Sequence, residues 1–150
     1  MEITDKNTKF DIEVKDWKEA ILETGRLLEI SGYANEDYKY NIIKDVKNYG
    51  SYIMISPNVV IPHTRPENGA LKIGCSIITI KNDIYFDDNK QDSIKVLIGF
   101  TAIDNKNHLD MLKKIINIIE KGLVDKLNYF LNLSKKDKLT YLNSLIREDE

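Results

Sequence analysis

Three side chains in this sequence have types and surroundings suited to chemistry: His63, Arg65 and His108. His63 lies in Ile61-Pro62-His63-Thr64-Arg65-Pro66-Glu67-Asn68-Gly69, directly after an apolar run. The two prolines fix φ on either side of the histidine and remove two backbone donors. The residue before each proline is pushed toward extended geometry. The imidazole is therefore held on a stiff loop at a strand end, where sheet proteins commonly place functional groups. Arg65, two residues on, points to the same side if the loop stays extended. A guanidinium binds phosphate bidentately and keeps its charge near neutral pH. His108 lies in Asp104-Asn105-Lys106-Asn107-His108-Leu109, in the first turn of an expected helix. Unpaired backbone N–H groups and the helix dipole favour anions there and disfavour an imidazolium. A neutral histidine on a stiff loop and another at an anion-attracting helix start could be two halves of a phosphate site. Each residue also has a plainer reading: a loop histidine, a polar helix-start residue and a solvated arginine.

The elements that must carry these residues follow from periodicity. Residues 1–14 are polar with a weak Phe10-Ile12-Val14 alternation, an N-terminal arm or a short edge strand. Asp16 and Glu19 have capping-box spacing, and Trp17, Ala20, Ile21, Thr24, Leu27 and Leu28 repeat with a helical period. Gly32 stands where a left-handed C-terminal residue belongs. A second helix begins near Asn35, carries Tyr38, Ile42, Ile43 and Val46 on one face, and stops before Gly50.

The period then changes. Tyr52–Ile55 and Val59–Ile61 are short apolar runs separated by the turn Ser56-Pro57-Asn58. Leu71–Ile80 reads as a strong strand covered on both faces, with Cys75 a small buried hydrophobe inside it. An Asn82-Asp83 turn precedes Ile84-Tyr85-Phe86, and Ile94–Ala102 is the second strong strand. Asp104 or Asn105 caps a helix with the stripe Leu109, Leu112, Ile115, Ile116 and Ile119, broken at Gly122. Leu123–Leu131 is another amphipathic segment, and Ser134 with Asp137 opens a last helix. Helices, then strands, then helices predict one α/β domain: a mixed, parallel and antiparallel sheet of about five strands with helices on both faces.

Composition narrows the function. At 150 residues, one domain is expected over residues 15–150 behind the arm. With 22 basic and 24 acidic side chains the net charge is −2, without the basic field of a nucleic-acid binder. A single cysteine excludes an intrachain disulfide framework and a cysteine-based zinc cluster. No apolar stretch approaches the roughly 18 residues of a membrane span, and no signal-peptide pattern opens the chain, so a cytoplasmic protein is expected. The glycine-rich phosphate loops and the G-x-S-x-G elbow are absent, and the histidine spacing suggests no metal site.

From Tyr49 to Gly69, YGSYIMISPNVVIPHTRPENG closely resembles the active-site region of enzyme IIA domains of the sugar phosphotransferase system (PTS), in the mannitol–fructose superfamily (EIIA type 2). It is most similar to the ascorbate-type branch, which reads Gly-x-Tyr, an apolar run, Ala-Pro-Gly, an apolar run and Pro-His-Ala-Arg-Pro-Glu. Gly50, Tyr52, Pro57, Pro62-His63 and Arg65-Pro66-Glu67 match; Asn58 replaces the usual Gly and Thr64 the usual Ala. The resemblance continues through Gly74, Asp92–Ile98 and His108-Leu109, and covers roughly residues 15–147.

The resemblance implies a phosphotransferase with a phosphohistidine intermediate. His63 would take a phosphoryl group on Nε2 from the carrier HPr and pass it to a cysteine of enzyme IIB, while membrane enzyme IIC moves an ascorbate or pentitol-type sugar. His108 would hold the phosphoryl group beside it, and no cofactor or metal is called for. Neutral imidazole suits such a relay because it attacks without a base and its phosphoramidate stays reactive. A backbone carbonyl is expected to hold Nδ1 of His63, leaving Nε2 to attack, with His108 and helix-start amides receiving the phosphate oxygens. Arg65 is a further candidate for those oxygens or for an acidic partner surface. The other function to weigh is a regulatory module of the same superfamily, whose phosphorylation controls binding rather than transport. A chain opening at Met1 with no extra domain favours the transport component.

Overall fold

A computed structural model describes residues 1–87 and 90–149; Glu150, the last residue of the expected domain, lies outside them. Among the described residues, five strands form a single sheet: β1 (Thr8–Ile12), β2 (Met54–Ser56), β3 (Val59–Val60), β4 (Gly74–Ile80) and β5 (Val96–Thr101). Their spatial order is β1-β4-β5-β3-β2. β1 runs parallel to β4, and β3 parallel to β5, while the β4–β5 and β2–β3 pairs are antiparallel. The sheet is mixed, as the pattern predicted, and the N-terminal segment supplies an edge strand.

The five described helices are α1 (Trp17–Ile30), α2 (Asp37–Tyr49), α3 (Asn105–Gly122), α4 (Leu127–Leu131) and α5 (Lys135–Asp149). They divide between the faces according to the alternation in β4. Ile78 and Ile80 pack with Ile21, Leu28, Tyr38 and Ile42 of α1 and α2. Cys75 and Ile77 pack with Ile115, Ile119, Phe130 and Leu142 of α3, α4 and α5. Two half-cores thus share one sheet, and nearly every residue of the paired strands β4 and β5 is buried.

The expected caps form. Asp16 accepts the Glu19 amide at 2.9 Å, Asp104 the Asn107 amide at 2.8 Å, and Ser134 the Asp137 amide at 3.1 Å. Gly32 adopts φ +82°, ending α1 with its amide on Glu29. Boundaries shift where tertiary contacts claim the backbone. The strand expected from Leu71 begins at Gly74, because the Leu71 and Lys72 amides donate to Tyr33 instead of a neighbouring strand. Gly74 faces the Tyr33 ring so closely that a Cβ would lie 2.2 Å from it. Residues 84–86 form no strand: the Ile84 carbonyl accepts the Ile94 amide, and Phe86 packs its ring 5.6 Å from Trp17. The amphipathic segment after Gly122 is helical only over Leu127–Leu131.

Candidate functional site

Both histidines reach the same end of the sheet by different routes. β3 pairs with β5, and the Phe100 amide donates to Pro62 at 3.4 Å, so the His63 loop leaves the sheet beside the end of β5. β5 in turn runs into α3, whose first turn carries His108. The imidazole centroids are 5.3 Å apart. Phe100 fills the angle between them, its ring stacked on His63 at 5.1 Å and tilted against His108 at 5.0 Å.

The His63 loop is gripped from several sides. Tyr38, fully buried on α2, donates its hydroxyl to Phe100 O at 2.7 Å and lies 3.3 Å from both the carbonyl and the amide of Thr64. Tyr52 donates to His63 O at 2.8 Å and meets the imidazole edge-on. Thr64 donates its hydroxyl to Asp45 at 2.7 Å and accepts from Asn68 at 2.8 Å. Pro66–Asn68 forms a short 3-10 turn behind the histidine.

His63 Nδ1 lies 2.7 Å from Ile61 O. A carbonyl only accepts, so the contact places the proton on Nδ1 and leaves the lone pair on Nε2. This is the orientation expected for a histidine that attacks through Nε2. Burial holds the His63 pKa below the ordinary imidazole value, and the neighbouring His108 acts in the same direction. The bond to Ile61 and the Asp45 carboxylate oppose that shift. His108 is also lowered, by burial, against its hydrogen bond to the Thr64 backbone and the charge of Glu67. Its Nε2 is buried with no hydrogen-bond partner among the described residues. With the Nδ1 proton directed at the Thr64 backbone, this atom can bond an oxygen of a bound group only when the ring takes up a second proton.

The cleft, about 260 Å³, is lined by Asp45, Tyr49, Tyr52, His63, Thr64, Arg65 and His108. Arg65 keeps an extended backbone and shares the cleft with His63, but its side chain is 82% exposed and lies 3.8 Å from Glu67. Two of the first four α3 amides are taken by Asp104, that of Asn107 by its carboxylate and that of His108 by its carbonyl. Among the described residues, no group of three or more His, Cys, Asp and Glu side chains could hold a metal ion. Sequence reasoning passed over Asp45, although it follows Tyr38 and Ile42 on one helical face. A carboxylate continuing an apolar stripe is the signal that could have found it.

Fold and cleft together describe an α/β domain with two histidines facing each other at an open cleft. Residues 2–143 match the family model described as the phosphoenolpyruvate-dependent sugar phosphotransferase system, EIIA 2. The ascorbate-specific PTS system EIIA component of Escherichia coli (strain K12) is 30% identical over 116 residues, 77% of this chain and 75% of that one. The mannitol-specific cryptic phosphotransferase enzyme IIA component of the same strain is 35% identical over 114 residues, 75% of this chain and 77% of that one. A solution structure of such a cryptic enzyme from Escherichia coli, CmtB, matches with a TM-score of 0.78 at 28% identity, covering 97% of this chain and 95% of that one. At 18% identity the likeness to Escherichia coli mannitol enzyme IIA, solved with phosphorylated enzyme IIB, is one of fold; its TM-score is 0.78, over 95% and 98% of the two chains. The chain belongs to the EIIA type-2 family of the sugar phosphotransferase system. It is a phosphotransferase component that works through a phosphohistidine intermediate.

Proposed function

We propose that His63 is the phosphoryl carrier, taking the group on Nε2 from the phosphohistidine of HPr and passing it to a cysteine of a cognate enzyme IIB in the cytoplasm. A membrane enzyme IIC then moves the sugar. The observation that carries this reading is the Nδ1 contact with Ile61, which leaves the lone pair on Nε2 in a cleft-lining ring whose pKa burial lowers. Neutrality matters because only the unprotonated nitrogen can attack phosphorus. The transition state is loose, so the protein contributes position and charge stabilisation. As the bond forms, the imidazole becomes cationic, and the Nδ1–H bond to the carbonyl strengthens with it.

His108, once its Nε2 takes up a proton, donates from that atom to the phosphate oxygens across the cleft, and Arg65, exposed on the same cleft, is a candidate cation for them or for a partner's acidic surface. The enzyme IIB acceptor is supported by family membership and by the fold shared with an enzyme IIA solved with its phosphorylated IIB. Among the described residues no helix is long and apolar enough to cross a membrane, in keeping with a component that acts beside a membrane transporter. An ascorbate or pentitol-type sugar is the assignment the active-site motif favours, within a family whose relatives here include mannitol-type components.

Intact mass after incubation with phosphoenolpyruvate, enzyme I and HPr tests the reading. The wild type gains one acid-labile phosphoryl group and folded His63→Ala gains none. His108→Ala accepts the group but hands it on more slowly. A folded wild type that stays unphosphorylated beside active HPr overturns the assignment.

A further inference from the structure

We propose that Asp45 is a positioning residue for phosphoryl transfer: Thr64 steers its carboxylate in the cleft, where it keeps the phosphorylated His63 ring in the Nδ1-protonated, transfer-ready form. The proposal rests on the reading of His63 as the phosphoryl carrier.

Asp45 is half-buried on α2 and lines the same cleft as both histidines. Its Oδ2 accepts the Thr64 hydroxyl at 2.7 Å. That hydroxyl accepts from Asn68 Nδ2 at 2.8 Å, and the Asn68 carbonyl accepts from Asn41 Nδ2 at 2.8 Å. Thr64 is 2% exposed, so its single proton is committed to Asp45 and the carboxylate has a defined direction. A carboxylate beside a site for a phosphoryl dianion weakens anion binding, so its place there calls for a different account.

The account lies in the leaving group. Attack by Nε2 on phosphorus breaks the donor's P–N bond, whose electron pair stays with the donor, and gives a His63 ring that retains Nδ1–H and is a cation; losing that proton makes it neutral. In the onward step an electron pair of the acceptor forms a bond to phosphorus. The P–Nε2 bond breaks, and its electron pair returns to Nε2. From the protonated ring the departing group is neutral imidazole. From the deprotonated ring it is imidazolate, a far poorer leaving group. The protonated fraction therefore sets the transfer rate, and two groups favour it: the Ile61 carbonyl on Nδ1 and the negative charge of Asp45.

The other groups facing the ring do not do this. His108 on α3 disfavours a second positive charge. Tyr52, pushed up to about 12 by burial and by Asp45, stays uncharged, as does Tyr38, whose pKa is raised by burial. Arg65 is solvated, and the charge of Glu67 acts on His108.

Asp45→Asn removes the charge and keeps an acceptor for Thr64. In the unphosphorylated protein, NMR titration of the His63 ring should show the midpoint falling by about 0.5 pH unit or more. In the isolated phosphoprotein, the pH profile of phosphoryl release should move to lower pH by the same amount, lengthening the phosphohistidine lifetime about threefold on its alkaline side. Thr64→Ala, which keeps the carboxylate but loosens it, should give a smaller shift of the same sign and stands in if Asp45→Asn does not fold. Unmoved titration or unmoved release profiles overturn the proposal, since a purely structural role changes stability and neither of these. A wild type that accepts no phosphoryl group overturns the carrier reading and this proposal with it. A wild type that accepts it, with a variant profile superimposed on its own, overturns only the role of Asp45.

Discussion

At the scale of single residues, two of the places where the active-site segment departs from its family's pattern have distinct physical answers. Asn58, standing for the usual Gly, adopts φ +73°, a left-handed conformation that Asn tolerates better than other non-glycine residues. It also donates to Ser93 at 2.7 Å, so the turn gains a tether to the segment before β5. Thr64, standing for the usual Ala, brings a hydroxyl that binds an ionisable neighbour, a contact invisible in the sequence because Asp45 lies on another element. The histidines make a pH prediction. In the folded protein both rings take up a proton at lower pH than in the unfolded chain. As pH falls through the ordinary imidazole value of about 6.5, the unfolded chain binds more protons and stability drops. Urea denaturation at pH 7.5 and pH 5.5 should therefore show a loss on acidification that is smaller in the His63→Ala, His108→Ala double variant.

At the scale of elements, α2 decides the geometry of the site more than the loop that carries the nucleophile. Tyr38 joins the end of β5 to the backbone of Thr64, so the histidine loop is registered against the sheet through one buried hydroxyl. Tyr38→Phe leaves the ring in the core but strands the Phe100 carbonyl, at a cost of about 1–3 kcal/mol. The expected outcome is a urea midpoint lowered accordingly together with slower phosphorylation. A variant that loses stability yet is phosphorylated at the wild-type rate would remove Tyr38 from the positioning of the site. The helices themselves were legible, because a cap and an apolar stripe are local: Asp16, Asp104 and Ser134 each bond within three residues. Strand starts were less so. Whether Leu71 continues the β4 ladder depends on whether Tyr33, far back in the chain, offers its carbonyl first.

At the scale of the whole molecule, the sheet is a partition between two half-cores, and its β1 edge is closed by the N-terminal segment. Phe10 and Ile3 belong to one half-core and Val14 to the other. Asn7 donates to Cys75 O at 3.1 Å, and Asn143 on α5 donates to Ile3 O at 2.9 Å. Lys138, fully buried, donates to the carbonyls of Leu131 and Leu133 and lies 3.5 Å from Asp11. Removing residues 1–14 should therefore bare the apolar edge of β4 and leave the Lys138 cation without its carboxylate. The expected result is loss of dispersed amide signals and of cooperative melting; a truncated chain that melts cooperatively near the wild-type temperature would show those residues to be a separable arm.

What nearest neighbours decide was legible along the chain: the alternation that divides β4 between two faces, the helix caps, the stiffness of the Pro62-His63 loop and the motif that marks its family. These follow from local sterics and periodicity, which act over a few residues. The tertiary structure alone decided that His63 and His108 face each other across Phe100, that Nδ1 of His63 is held by Ile61, and that Asp45 enters the cleft through Thr64. Those contacts depend on the order β1-β4-β5-β3-β2, which brings the ends of β3 and β5 together. Strand order is chosen by the burial of both sheet faces at once, a property of the whole chain that no local window of it contains.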